Sequence, residues 1–152
     1  MRTILFVCTG NTCRSPMAEG IARSLLASGT IEGLDREELL IASAGVAAAE
    51  GMPPSPETMD ILRARGIEEF SRSIQLTPEM VSQADLVLTM TQSHLQAIKA
   101  QFRLSEEDAE CLHLLDPDRD VIDPIGQGPA AYEQAAEIFD KVIPVRLKEL
   151  LA

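Results

Sequence analysis

The sequence predicts an α/β fold: one domain over residues 1–152, with a four-stranded parallel sheet flanked by helices. Three observations lead there. Short β-rich apolar runs alternate with segments whose apolar residues recur at helical spacing, the pattern of strand–helix units. The first of these runs is apolar at every position, as a strand buried on both faces is. The chain has 152 residues, 45% of them hydrophobic and 24% charged, with no repeat, low-complexity tract or internal boundary. That describes one ordinary globular unit with its own core.

In chain order, Ile4-Leu5-Phe6-Val7 is the first strand. It enters the turn-rich segment Cys8-Thr9-Gly10-Asn11-Thr12-Cys13. Ser15 and Pro16 then read as a helix cap and a first-turn proline, and Met17, Ile21 and Leu25 recur at helical spacing. After the charged connector Glu32–Glu38, Leu39–Ala44 reads as a second strand and Gly45–Pro56 as a loop. Glu57–Arg65 reads as a helix stopped at Gly66. Thr77-Pro78-Glu79 opens another helical turn. Leu86–Met90 is a third buried strand, Gln92–Phe102 a helix, and Leu112–Leu115 a weak fourth strand. A last helix starts near Pro129 with Phe139, Val142, Ile143, Leu147 and Leu150 facing inward, and Pro144 predicts a bend in it. With no Trp, one Tyr and four Phe, the core must come mainly from aliphatic side chains and Met.

Charge narrows the function classes. A net charge of −11 argues against nucleic acid as partner, because phosphate backbones demand a basic face. A small phosphate site remains open, since backbone amides and one Arg can create a local positive field. No apolar run approaches the roughly 20 residues that span a bilayer, so no membrane partner is expected. The N-terminus lacks signal-peptide architecture, and the expected location is the cytoplasm. Three cysteines without metal-finger spacing predict free thiols and no metal site, and no cofactor is expected. Cys111 reads as a buried strand thiol, and His94 and His113 as isolated surface or strand residues.

The segment Cys8–Ser15 carries the chemistry. Gly10 and Asn11 tolerate positive φ, so the chain can curl and aim successive N–H groups inward. A curl that feeds a helix N-terminus makes an anion-binding nest. Cys8 lies at its base, at the carboxyl end of a strand, where ligand crevices of such sheets lie. Arg14 offers a planar fork that matches two phosphate oxygens. A Walker loop is excluded, because its Gly-Lys-Ser/Thr ending is missing. On spacing alone, Cys8 and Arg14 would read as a strand-end thiol and a surface residue.

The whole string Val7-Cys8-Thr9-Gly10-Asn11-Thr12-Cys13-Arg14-Ser15-Pro16-Met17-Ala18-Glu19 resembles the active-site signature of low-molecular-weight protein phosphatases. Further similarities follow in order: Ser43-Ala44-Gly45, Leu76-Thr77, Ala84-Asp85-Leu86-Val87-Leu88 and Asp123-Pro124. The resemblance implies a flavodoxin-like fold and a protein phosphatase acting on a phosphorylated protein substrate, while the oligomeric state is open, with a monomer as the default expectation. It implies that Cys8 attacks phosphorus and forms a phosphocysteine. Arg14 and the amides of Thr9, Gly10, Asn11, Thr12 and Cys13 would hold the phosphoryl oxygens. Ser15 would donate to the Cys8 sulfur, and Asn11 and Ser43 would brace the loop. Asp123 would protonate the leaving group and then activate water. Asp116-Pro117 competes for the acid role, but Asp116 directly follows the fourth strand and suits a turn. Cys13 is either a small residue at the start of the first helix or a partner that bridges to oxidised Cys8.

The chain departs from the family pattern in places. Ala47, Ala48 and Ala49 stand where an aromatic residue is usual, and Ile125 follows Asp-Pro where an aromatic is frequent. Ser71 replaces a His, which puts part of the usual bracing network in doubt. Tyr132 reads as a helix-packing residue. Thr12 stands where tyrosine-directed members carry Ile or Val, and the string Cys-Thr-Gly-Asn-Thr-Cys-Arg resembles bacterial protein-arginine phosphatases. Phosphoarginine is therefore the expected substrate, with phosphotyrosine as the alternative. Arsenate reduction coupled to thioredoxin would need two more downstream cysteines, and only Cys111 is present. An inactive phosphate-binding module would normally lack the nucleophile, the Arg or the acid.

Overall fold

The N-terminal apolar run forms β1 (Arg2–Cys8), longer at both ends than the run itself. A computed structural model describes residues 1–151. In it β1 lies inside a four-stranded sheet with β2 (Leu39–Gly45), β3 (Leu86–Thr89) and β4 (Leu112–Leu114). The strand order is β2-β1-β3-β4 and every pairing is parallel. The chain leaves β1 to one side for β2 and returns to its other side for β3. The carboxyl end of β1 is therefore the switch point where open α/β sheets hold ligands.

Successive strand residues face opposite sides, and β1 divides accordingly. Ile4, Phe6 and Cys8 enter the larger core cluster with Met17 and Ile21 of α1 (Arg14–Ala27), Leu62 of α2 (Pro56–Ala64) and Phe139, Ile143 and Leu147 of the last helix, α6 (Pro129–Leu151). Leu5 and Val7 enter the other cluster with Val81 of α3 (Pro78–Gln83) and Ile98 of α4 (Gln92–Gln101). The helices thus cover both faces of the sheet.

Several local readings are corrected. Ser15 is not the cap of α1: it lies inside the helix, and Cys13 occupies the cap position without a side-chain capping bond. The Ser15 hydroxyl is directed to Cys8 and to Asn11 of the loop after β1 instead. Ser55 caps α2, so that helix starts at Pro56. Ser105-Glu106-Glu107-Asp108 forms the start of an additional helix, α5 (Glu106–Glu110), in which Ser105 Oγ accepts from Asp108 N. It has no buried residue, so no apolar periodicity marks it. Cys111 is the half-buried C-cap of α5 rather than a strand residue. Its burial and the carboxylates of Asp108, Asp85, Glu107 and Glu110 push its thiol pKa up. α6 continues as one helix through Pro144. No helix among the described residues is long and apolar enough to cross a membrane.

Candidate active site

Cys8, 3% exposed, ends β1, and the chain curls directly behind it. Asn11 takes the left-handed conformation at φ 57, the only non-glycine among the described residues with positive φ. Gly10 needs none. Among the described residues, no backbone N–H from Thr9 to Cys13 donates to a protein acceptor. Those N–H groups are left free of protein acceptors, as an anion-binding nest would require. Carbonyls of the same segment are tied outward: Thr9 O accepts from Ala47 N at 2.9 Å, and Thr12 O from Ser55 N at 2.8 Å.

A buried polar network fixes the curl. Asn11 Oδ1 accepts from Ile74 N at 3.0 Å, which assigns its amide orientation. Asn11 Nδ2 then donates to Ser15 Oγ at 2.7 Å and to Ser43 Oγ at 2.9 Å. Because Ser15 accepts from Asn11, its own proton is available to the Cys8 sulfur, 2.9 Å away, with the more distant Ala44 O at 3.4 Å as the other acceptor. Ser43 Oγ donates to Glu19 Oε1 at 2.7 Å, and Glu19 Oε2 accepts from Ser71 Oγ and from Arg23. Ser71 therefore contributes a bracing contact where the missing His had put the network in doubt. Glu19 is 3% exposed, and the sequence marks it only as part of the signature. Its place at i+4 from Ser15 and i−4 from Arg23 is the signal that puts all three on one helix face.

Arg14 is equally buried. Its Nη1 donates to Val121 O at 2.9 Å, and its Nη2 lies 3.7 Å from Asp123 Oδ2. Asp123 is half-exposed and accepts from Ile125 N through Oδ1 at 3.0 Å. The second Asp-Pro pair lies elsewhere. Asp116 accepts from Asp118 N in a turn and lines a separate cleft with Lys141 and Arg146. That cleft, at about 210 Å³, is as large as the one around Cys8. Volume does not distinguish them, and side-chain chemistry does.

The cleft at Cys8 is about 200 Å³, lined by Cys8, Thr9, Gly10, Thr12, Cys13, Arg14, Asp123 and Ile125. None of these is aromatic. A thiol, a run of unpaired loop amides, a cation and a carboxylate thus share one opening, and Thr12 lies at its wall. Cys13 is buried with its sulfur 3.5 Å from the hydroxyl of Tyr132, a buried residue of α6. Burial and the neighbouring Cys13 push the Tyr132 pKa up to about 12. His94 departs from expectation: it is 4% exposed and hydrogen-bonded to Thr9 Oγ1. Among the described residues, no group of three or more His, Cys, Asp or Glu is placed to hold a metal ion.

Residues 3–151 match the family model described as low molecular weight phosphotyrosine protein phosphatase. The chain is 36% identical over 149 residues to a protein-arginine-phosphatase of Bacillus subtilis, covering 97% of this chain and 95% of the relative. It is 34% identical over 146 residues to the low molecular weight protein-tyrosine-phosphatase PtpB of Staphylococcus epidermidis, covering 95% and 97%. Its fold matches that of YwlE arginine phosphatase bearing a cysteine-to-serine substitution and a phosphorylated active-site serine. That match has TM-score 0.84 and 32% identity, covering 97% of this chain and 96% of the other.

Proposed function

The chain belongs to the low molecular weight phosphotyrosine protein phosphatase family and is a hydrolase, and we propose that it removes phosphoryl groups from arginine side chains of proteins through a phosphocysteine on Cys8. The observation that supports this most is the Cys8 sulfur 2.9 Å from Ser15 Oγ, beneath unpaired loop amides and beside buried Arg14. In the reaction, Cys8 Sγ attacks phosphorus in line with the leaving nitrogen. Arg14 and the amides of residues 9–13 hold the equatorial oxygens, where charge develops. Asp123 gives a proton to the leaving group and then takes one from the water that attacks the phosphocysteine. The phosphorylated serine of the arginine phosphatase relative is in keeping with phosphoryl transfer to this loop position.

Preference for phosphoarginine rests on Thr12 and on a cleft without aromatic walls. A guanidinium can hydrogen-bond to the Thr12 hydroxyl and pair with Asp123, and a phenol does neither as well. Phosphotyrosine remains the second reading, since the staphylococcal relative is named for it. We place the protein in the cytoplasm as a monomer with free thiols. Under peroxide, Cys13 condenses with the sulfenic acid of Cys8, releasing water and shielding the nucleophile from further oxidation. Acid-quenched enzyme mixed with a phosphoarginine peptide should carry the phosphoryl group on the peptide containing Cys8 by mass spectrometry. Turnover that survives Cys8→Ser would contradict this route.

A further inference from the structure

His94 connects the nucleophile loop to α4, and the chemistry above gives it no task. It is the third residue of α4 and both of its ring nitrogens are engaged. The backbone N–H of Thr91 meets Nδ1 at 3.2 Å, so Nδ1 is an acceptor and the ring proton sits on Nε2. Nε2 lies 2.9 Å from Thr9 Oγ1 and donates to it. Burial and the Arg14 cation lower the imidazole pKa to about 4, against the opposing carboxylates of Asp120 and Asp123. The ring is neutral near pH 7, as this pair of bonds requires.

The turn that carries His94 is itself well held. Thr91 Oγ1 accepts from His94 N, and Thr89 Oγ1 donates to Thr91 O. Gln92 N donates to Asp120 Oδ1 at 2.8 Å. The next residue, Val121, holds Arg14 through its carbonyl. One helix end therefore grips the loop at Thr9 and the acid-bearing segment at Asp120. Thr9 is exposed and lies just beyond the strand ladder, and besides the bond of its carbonyl to Ala47 N the His94 contact ties its side chain. Its N–H is also the first loop donor after Cys8.

We propose that His94 is a positioning residue for phosphoryl transfer: through Thr9 Oγ1 it fixes the first loop amide relative to Cys8 Sγ and registers the loop against the Asp120–Asp123 segment. This rests on the reading of the loop as the phosphoryl site. A misplacement of about 1 Å at such a site can cost ~10²-fold in rate. The effect belongs in kcat, because amides aimed at the transition state gain most of their strength there.

The test uses an aryl phosphate, so that arginine preference does not enter. His94→Ala should lower kcat about 10- to 100-fold and change KM less than about threefold. His94→Gln should recover kcat to within about fivefold of wild type: its Oε1 can accept from Thr91 N while Nε2 donates to Thr9, and Gln is itself a capping-box residue at this position. Thr9→Val removes the hydroxyl without touching α4 and should match His94→Ala. The double variant should lose no more than either single one. Losses that multiply in the double variant would mean that His94 acts independently of Thr9, and a Gln variant no better than Ala would mean that the bonds to Thr91 N and Thr9 are not what catalysis needs; either result would overturn the proposal. Should His94→Ala fail to fold, Thr9→Val and His94→Gln decide alone, and wild-type kcat in Thr9→Val overturns the role. Cys8→Ser is run beside them. Residual turnover there overturns the loop reading itself, whereas an inert Cys8→Ser with a fully active His94→Ala overturns only the positioning role.

Discussion

Arg14 Nη2 faces Asp123 Oδ2 across 3.7 Å, which brings the cation after the Cys8–Cys13 loop and the carboxylate of the last loop to one opening. Asp116, the competing Asp-Pro residue, instead accepts from Asp118 N within its own turn. Asp123→Asn should therefore slow turnover by about 10²–10⁴-fold on substrates with poor leaving groups, the range of general acid catalysis. The loss should shrink for an activated aryl ester, whose leaving group needs no proton. Asp116→Asn should change kcat little. Steady-state kinetics on both ester classes check this, and the reverse pattern would assign the acid to Asp116.

Gly45 marks a close approach between β2 and the loop. A Cβ there would collide with Thr9 O and come within 3.0 Å of Asn11 N. Neither can retreat freely, because Thr9 O is bonded to Ala47 N and Asn11 is held by Ile74, Ser15 and Ser43. Gly45→Ala should cost ~1–3 kcal/mol, as overpacking does, and should lower kcat at least about tenfold by displacing loop amides. Urea unfolding and kinetics on the same preparation measure both. Wild-type kcat in a destabilised variant would mean that the loop absorbs the clash.

Much of this arrangement was legible in the sequence because its chemistry is contiguous. Cys8, the loop amides, Arg14 and Ser15 fall in one string, and β1 and β3 are apolar enough to read as buried strands. What escaped was either featureless or distant. α5 has no apolar face, so periodicity could not find it. His94 meets Thr9 across a sequence separation of 85, and nothing local to either residue announces the pair. Thr91-Gln92-Ser93-His94 does carry a partial signal, since a hydroxyl residue followed at the third position by an acceptor side chain is a capping box. Ser71 lacks the ring of a His, yet its hydroxyl reaches Glu19 directly, a contact that residue type alone does not reveal.

The neutral, buried ring of His94 also links stability to pH. Its folded pKa is lowered to about 4 from 6.5 by burial first and by Arg14 second. Between those values the unfolded chain binds the proton and the native state does not, so this contribution is full above pH 6.5 and is lost as pH falls toward 4. From pH 7 to pH 5 the loss should be about 2 kcal/mol. Subtracting the same measurement on His94→Gln removes the carboxylate background. Equal pH slopes in the two proteins would contradict a neutral buried imidazole.

The proposed preference for phosphoarginine rests on Thr12, which lines the cleft that also holds Cys8, Arg14 and Asp123. Thr12→Ile replaces a polar contact by apolar volume. One lost hydrogen bond to a charged group is worth about 1.5–3 kcal/mol, so phosphoarginine turnover should fall ~10–100-fold. Aryl phosphate turnover should hold or rise, because the amides, Cys8 and Arg14 are unchanged. The most direct measurement is kcat/KM for phosphoarginine and phosphotyrosine in one peptide sequence, taken in wild type and in Thr12→Ile. The ratio cancels errors in active-site concentration. A wild-type ratio that favours phosphoarginine and collapses in Thr12→Ile is the predicted result; a wild type that prefers phosphotyrosine, or a ratio that Thr12→Ile leaves unchanged, would contradict it.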